Sequence, residues 1–110
     1  MVNEGNKHRE LKEIMKGKLN NPNHQIIEEF KLKNFKFDLA VLDKFSGVMI
    51  KVIECIVTQT LSKAHKKLKD LDIKTDKEII RFRKNRNPKA RKIIEAIQQD
   101  GIKFIEIENN

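Results

Sequence analysis

The feature that most constrains the fold is a nearly unbroken apolar run near the middle of the chain, residues 48–58 (Val-Met-Ile-Lys-Val-Ile-Glu-Cys-Ile-Val-Thr). Such a run, rich in β-branched residues, predicts a strand that is covered on both faces, as in the centre of a sheet. Residues 60–71 then change to a helical period, with their aliphatic side chains on one stripe. A buried strand followed by an amphipathic helix predicts an α/β domain.

The remaining segments complete one mixed sheet flanked by helices. The predicted elements are a helix over residues 3–19, strands over 24–32 and 34–43, a turn at 43–47, the central strand and its helix, a strand over 77–84, a helix between Asn87-Pro88 and Gly101, and a strand over 102–108. In the second strand, Phe35, Phe37, Leu39 and Val41 are predicted to face one side and Lys36, Asp38 and Ala40 the other. We therefore expect residues 1–110 to form a single α/β domain with the order α-β-β-β-α-β-α-β.

The charge of the chain indicates its class of partner. It has 24 Lys and Arg residues against 16 Asp and Glu residues, a net charge of +8, and a pI near 9.7. This charge attracts polyanions and favours nucleic acid, although a heat-adapted or genome-biased surface has a similar composition. No stretch resembles a signal peptide or a membrane span, and Cys55 is the only cysteine, so we expect a cytoplasmic protein without a disulfide.

The densest basic segment, residues 81–92, leaves a predicted strand and enters a predicted helix. Arginine side chains and the backbone N–H groups at the start of a helix bind phosphates. The predicted nucleic-acid-binding residues are Arg81, Arg83, Lys84, Arg86, Lys89 and Arg91. Six Phe, with neither Trp nor Tyr, provide little platform for stacked bases, so contact with the nucleic-acid backbone is expected rather than base reading.

Acidic residues within apolar segments are the candidates for chemistry. Glu54 interrupts the central run, where an ionised carboxylate is costly to bury without a cation or a hydrogen-bonded partner. Asp38 has a similar context on the preceding strand, which a short turn makes a neighbour. Either Glu28 or Glu29 is the third acid, because a one-residue shift reverses the face of a strand. The set Glu29, Asp38 and Glu54 predicts a site for Mg²⁺ or Mn²⁺, and pairing with nearby lysines is the alternative.

Several short motifs, in this order of elements, resemble the PD-(D/E)xK nuclease superfamily and its restriction-endonuclease-like fold. The matching motifs are Phe37-Asp38 on the second strand, Glu54-Cys55-Ile56 on the third, Glu29 before the Asp, and the opening Gly5-x-x-His8-x-x-x-Lys12. The opening, Glu29 and the segment Ile53-Glu54-Cys55 look like small members of the superfamily related to competence nucleases. The resemblance extends over residues 5–85.

The resemblance implies a metal-dependent endonuclease, with DNA favoured over RNA as the nucleic acid that it cleaves. Asp38, Glu54 and the third carboxylate Glu29 would bind Mg²⁺ or Mn²⁺, and a Lys or Gln would orient the attacking water. Ile56 stands where the superfamily has its catalytic lysine, so Gln59 and either Lys63 or Lys67 are the candidate replacements. His8 is a candidate accessory residue, with an exposed polar position on a surface helix as the alternative.

Two other functions are compatible with the sequence. In the first, the protein has the same fold and basic surface but is catalytically inactive, so it binds nucleic acid without cutting it. The other is a basic domain that binds an acidic protein. A homodimer is expected for a nuclease, because one small domain addresses only one strand of a duplex.

Overall fold

The structure is a computed structural model that describes residues 5–108. Three helices and five strands follow one another as α1 (Asn6–Lys18), β1 (His24–Leu32), β2 (Phe35–Asp43), β3 (Met49–Ile56), α2 (Leu61–Lys69), β4 (Asp76–Phe82), α3 (Pro88–Gln99) and β5 (Lys103–Ile107). The predicted α/β class and the order of elements are confirmed. No helix in residues 5–108 is long and apolar enough to cross a membrane.

The five strands form one mixed sheet in the order β1-β2-β3-β4-β5. The β1–β2 and β2–β3 pairs are antiparallel, whereas β3–β4 and β4–β5 are parallel. The strand predicted from the central apolar run is therefore the middle strand, and Val52 and Ile53 are both fully buried on its two faces. Leu11 and Met15 of α1 pack on one face of the sheet, and α2 and α3 pack on the other.

Local chemistry explains where several elements begin and end. The Asp43 Oδ1 atom accepts hydrogen bonds from the backbone N–H groups of Phe45 (2.9 Å) and Ser46 (2.8 Å), and Gly47 completes the predicted turn with φ 73°. These bonds also hold the pKa of Asp43 below its usual range. At the start of α3, Asn87 Oδ1 accepts a hydrogen bond from the N–H of Ala90 (2.7 Å), as its predicted role of N-cap requires.

The predicted alternation of β2 is wrong from Leu39 onward. Phe37 and Ala40 both pack in the core beneath α2 and α3, whereas Leu39 packs in the core beneath α1. The two-residue period therefore changes phase between Phe37 and Ala40. On the neighbouring strand β1, Glu29 lies between the paired residues Glu28 and Phe30 but is itself unpaired with β2. Its φ is 51°, which is not a strand conformation. An irregular backbone at this level reorients the side chains that follow.

Candidate carboxylate site

Asp38 and Glu54 come together where β2 and β3 part. The last backbone pair between these strands is Leu39 with Ile53, and Asp38 and Glu54 are the next residues on each strand. The N–H of Asp38 donates to Glu54 Oε2 (3.0 Å), and the N–H of Cys55 donates to Asp38 Oδ2 (2.8 Å). Each carboxylate thus binds the backbone of the opposite strand in place of a ladder bond, which fixes both side chains.

Basic side chains reach this pair from both faces of the sheet. Lys67 of α2 places its Nζ atom 2.6 Å from Glu54 Oε1 and also donates to the carbonyl oxygen of Lys36. The same ammonium lies 5.1 Å from the centre of the Phe37 ring, which gives it a cation–π contact. His8 of α1 places Nε2 3.2 Å from Asp38 Oδ1. His8 therefore belongs to the site and is not merely an exposed polar residue of a surface helix.

These bases do not fully compensate the cost of ionising Glu54. Glu54 is 1% exposed, and its pKa is raised from 4.5 to about 7, mainly by burial and then by the negative charge of Asp38. The hydrogen bond and charge of Lys67 act in the opposite direction but do not cancel the increase. A second positive charge beside Glu54 would stabilise its ionised form. Burial also raises the pKa of the Cys55 thiol, so Cys55 is not a nucleophile here.

The two candidates for a third carboxylate have different surroundings. Glu28 binds Lys12 (3.1 Å) and Lys16 (3.0 Å) of α1, and these hydrogen bonds lower its pKa. Glu29 occupies the register position opposite Asp38, but its side chain is 43% exposed and lies 4.0 Å from the Lys36 ammonium. Among residues 5–108, no three His, Cys, Asp or Glu side chains are grouped so that they could hold a metal ion. The described site therefore consists of two carboxylates, and Glu29 stands beside it.

Of the candidate replacements for the superfamily's lysine, Lys67 is the residue that reaches the carboxylates. Gln59 and Lys63 are exposed, and Lys63 enters α2 through its backbone bond to the Thr60 hydroxyl (3.2 Å). Ile56 is 5% exposed and belongs to the core beneath α2 and α3. Lys63 and Lys67 lie one turn apart on the same side of α2, so helical spacing alone does not choose between them.

The six predicted nucleic-acid-binding residues differ in their exposure and in their ion pairs. The Arg81 side chain is 8% exposed, and its Nε donates to Glu106 Oε2 (3.0 Å), so it is buried beneath the surface. Arg86 donates to the other oxygen of Glu106 (2.7 Å), and Arg83 pairs with Glu108 (2.5 Å). The remaining members of the set, Lys84, Lys89 and Arg91, are exposed.

The assignment of a function depends on this geometry. The buried carboxylate of Glu54 and the partly buried carboxylate of Asp38 face a lysine from one helix and a histidine from another, where β2 and β3 separate. A basic surface lies along the same sheet, on the segment that joins β4 to α3. No protein-family model matches this chain, and neither the curated proteins nor the solved structures include a significant match to it.

Proposed function

We propose that this protein is a metal-dependent nuclease that hydrolyses phosphodiester bonds of DNA. The proposal rests on the pair Asp38 and Glu54, which is fixed where β2 and β3 separate. Lys67 donates a hydrogen bond to Glu54 of this pair. A buried carboxylate such as Glu54 is costly unless a cation offsets its charge, and Lys67 does not bring the pKa of Glu54 back to its ordinary value. Such perturbed groups are concentrated at functional sites.

The donor set fits a hard divalent cation. Carboxylate oxygens are the preferred ligands of Mg²⁺ and Mn²⁺, and Asp38 and Glu54 would hold the ion between neighbouring strands. An added positive charge would stabilise the ionised form of Glu54, and both carboxylates are already fixed by the backbone bonds from Asp38 and Cys55. When bound, the ion would lower the pKa of a water molecule and neutralise charge on the phosphate.

The side chains of the site have separate tasks in this proposal. The Lys67 ammonium is fixed by the Lys36 carbonyl and the Phe37 ring, so it supplies a positioned charge for the phosphate oxygens or for the attacking water. His8 Nε2 faces Asp38 and is able to exchange a proton at that atom. The exposed cations Lys84, Lys89 and Arg91 attract the DNA backbone without reading bases.

The direct test is incubation of purified protein with supercoiled, linear and branched DNA in Mg²⁺ or Mn²⁺, and in EDTA. We expect cleavage with either metal and none in the chelator. Single-strand nicks would indicate that one copy acts alone, and double-strand breaks would support the proposed homodimer. DNA that is bound but never cut would overturn the nuclease proposal and indicate a non-catalytic nucleic-acid-binding protein instead.

Replacement of Lys67 by methionine is expected to reduce the cleavage rate about 10²-fold, the usual effect of removing one positioned electrostatic group. Lys63→Met is the matched control, because Lys63 lies one helical turn earlier on α2 and is exposed. Initial rates on one plasmid substrate measure both variants, and circular dichroism checks that both are folded. Equal loss in the two variants would show that Lys67 acts only through the general charge of α2.

A further inference from the structure

A basic cavity lies beside the carboxylate site at the same end of the sheet. It has a volume of about 440 Å³ and is lined by Arg83, Lys84, Asn85, Arg86, Arg91 and Glu106. The segment between β4 and α3 supplies four of these residues, α3 supplies Arg91 and β5 supplies Glu106. Lys84 Nζ also donates to the carbonyl oxygen of Val57 (3.4 Å), just beyond the end of β3, which links the cavity wall to the strand that carries Glu54.

The charges around the cavity are not balanced. Five cations line it or lie beneath it: Arg81, Arg83, Lys84, Arg86 and Arg91. Two carboxylates pair with members of this set, Glu106 with Arg81 and Arg86, and Glu108 with Arg83. Three positive charges remain in excess, and the buried Arg81 Nη2 has no hydrogen-bond partner in the described structure. Uncompensated positive charge around one concave place, carried mostly by arginine, is the property of an anion site.

The guanidinium groups are also fixed before any ligand arrives. The Glu106 carboxylate bridges Arg81 and Arg86, and both guanidinium groups lie against the Phe104 ring, at 5.2 and 5.6 Å from its centre. A planar guanidinium held in this way loses little further conformational freedom when it binds an oxyanion. The cavity is therefore better suited to one localised phosphate group than to an extended acidic peptide.

The register of the sheet gives the distance between the two sites. Glu54 pairs with Ile79, which pairs with Phe104, and Glu106 lies two residues farther along β5. Two inter-strand spacings, combined at right angles with the rise of two residues along a strand, give a backbone distance of about 12 Å between Glu54 and Glu106. A nucleic-acid strand whose phosphate is at the carboxylates would thus place a phosphate a few nucleotides away near the cavity.

We propose that this cavity binds one phosphate of the nucleic-acid strand that the Asp38–Glu54 site acts on, and this proposal rests on the proposed function for its substrate. The phosphate is either internal to the strand or at its end. The bound phosphate sets the register of the strand, and therefore the distance from it to the bond that is cut.

Fluorescence anisotropy with a labelled duplex in EDTA tests the proposal. Arg91→Gln is expected to weaken binding five- to tenfold at about 0.1 M NaCl and to reduce the slope of log K against log [NaCl] by about 0.9, the value for one phosphate contact. Lys92→Gln is the matched control, because Lys92 is the next residue of α3 and equally exposed but does not line the cavity. The control is expected to keep the wild-type slope.

Three forms of the duplex identify the source of the phosphate: ends with 5′-phosphate, ends with 5′-hydroxyl, and a closed dumbbell without ends. If Arg91→Gln loses affinity only for the duplex with 5′-phosphate ends, the cavity binds a terminal phosphate. If it loses affinity equally for all three forms, the cavity binds an internal phosphate. Equal slopes for Arg91→Gln and Lys92→Gln on every duplex would overturn the proposal, as would a wild-type protein that binds none of them. Because binding is measured without metal, absence of cleavage would contradict the nuclease proposal while leaving this result intact.

Discussion

Replacement of Asp38 by asparagine is expected to reduce DNA cleavage at least about 10³-fold, while the fold and the affinity for DNA are kept. The variant loses one of the two negative charges that would hold the cation, and metal-assisted charge stabilisation contributes several kcal/mol to such reactions. The asparagine oxygen still accepts the hydrogen bond that the Cys55 N–H now donates to Asp38. Single-turnover cleavage of a labelled duplex measures the rate, and anisotropy in EDTA measures binding.

Glu95→Gln is the control for loss of one negative charge, because Glu95 lies exposed on α3 away from β2 and β3. This variant is expected to cleave at the wild-type rate. Calorimetry with Mn²⁺ provides a second readout, in which Asp38→Asn loses the binding that Glu95→Gln keeps. Cleavage by Asp38→Asn at a rate near that of wild type would place the active site elsewhere in the protein.

The order of elements could be predicted from the sequence because local signals agree with the global fold. The central apolar run specifies β3, Asn87 and Pro88 specify the start of α3, and Asp43 with Gly47 specifies the β2–β3 turn. The face of each residue in β2 could not be predicted in the same way. A strict two-residue alternation assumes a regular ladder, and the backbone is irregular at the level of Glu29 and Asp38.

The centre of the site could be predicted from the cost of burying a charge, and its surroundings could not. Glu54 stood out because it interrupts an apolar strand, and the structure places it 1% exposed beside Asp38. The choice between Lys63 and Lys67 required the position of α2 along the sheet, because two residues one turn apart lie on the same side of a helix. The burial of Arg81 required its partner Glu106, which lies 25 residues away in sequence.

Replacement of Glu54 by glutamine is expected to stabilise the metal-free protein at pH 8 by up to about 3 kcal/mol. The pKa of Glu54 is raised from 4.5 to about 7 in the folded state, mainly by burial. Between these values the folded state binds a proton more tightly than the unfolded chain, so stability falls as the pH rises. The loss is complete above about pH 7, and a shift of this size corresponds to about 3 kcal/mol. Glutamine does not ionise and escapes that loss.

Urea denaturation in EDTA at pH 4.5 and pH 8 measures the effect. The variant and wild type should differ little at the lower pH, and the difference should appear at the higher pH, whereas Glu95→Gln should follow wild type at both. Adding Mg²⁺ at pH 8 should stabilise wild type and not Glu54→Gln, because a ligand that binds only the folded state increases its stability. A variant less stable than wild type at pH 8 would instead show that the Lys67–Glu54 pair outweighs the cost of burial. If Glu54→Gln is more stable than wild type, and added Mg²⁺ restores the stability of wild type, then this site is maintained for a ligand at the expense of the stability of the fold.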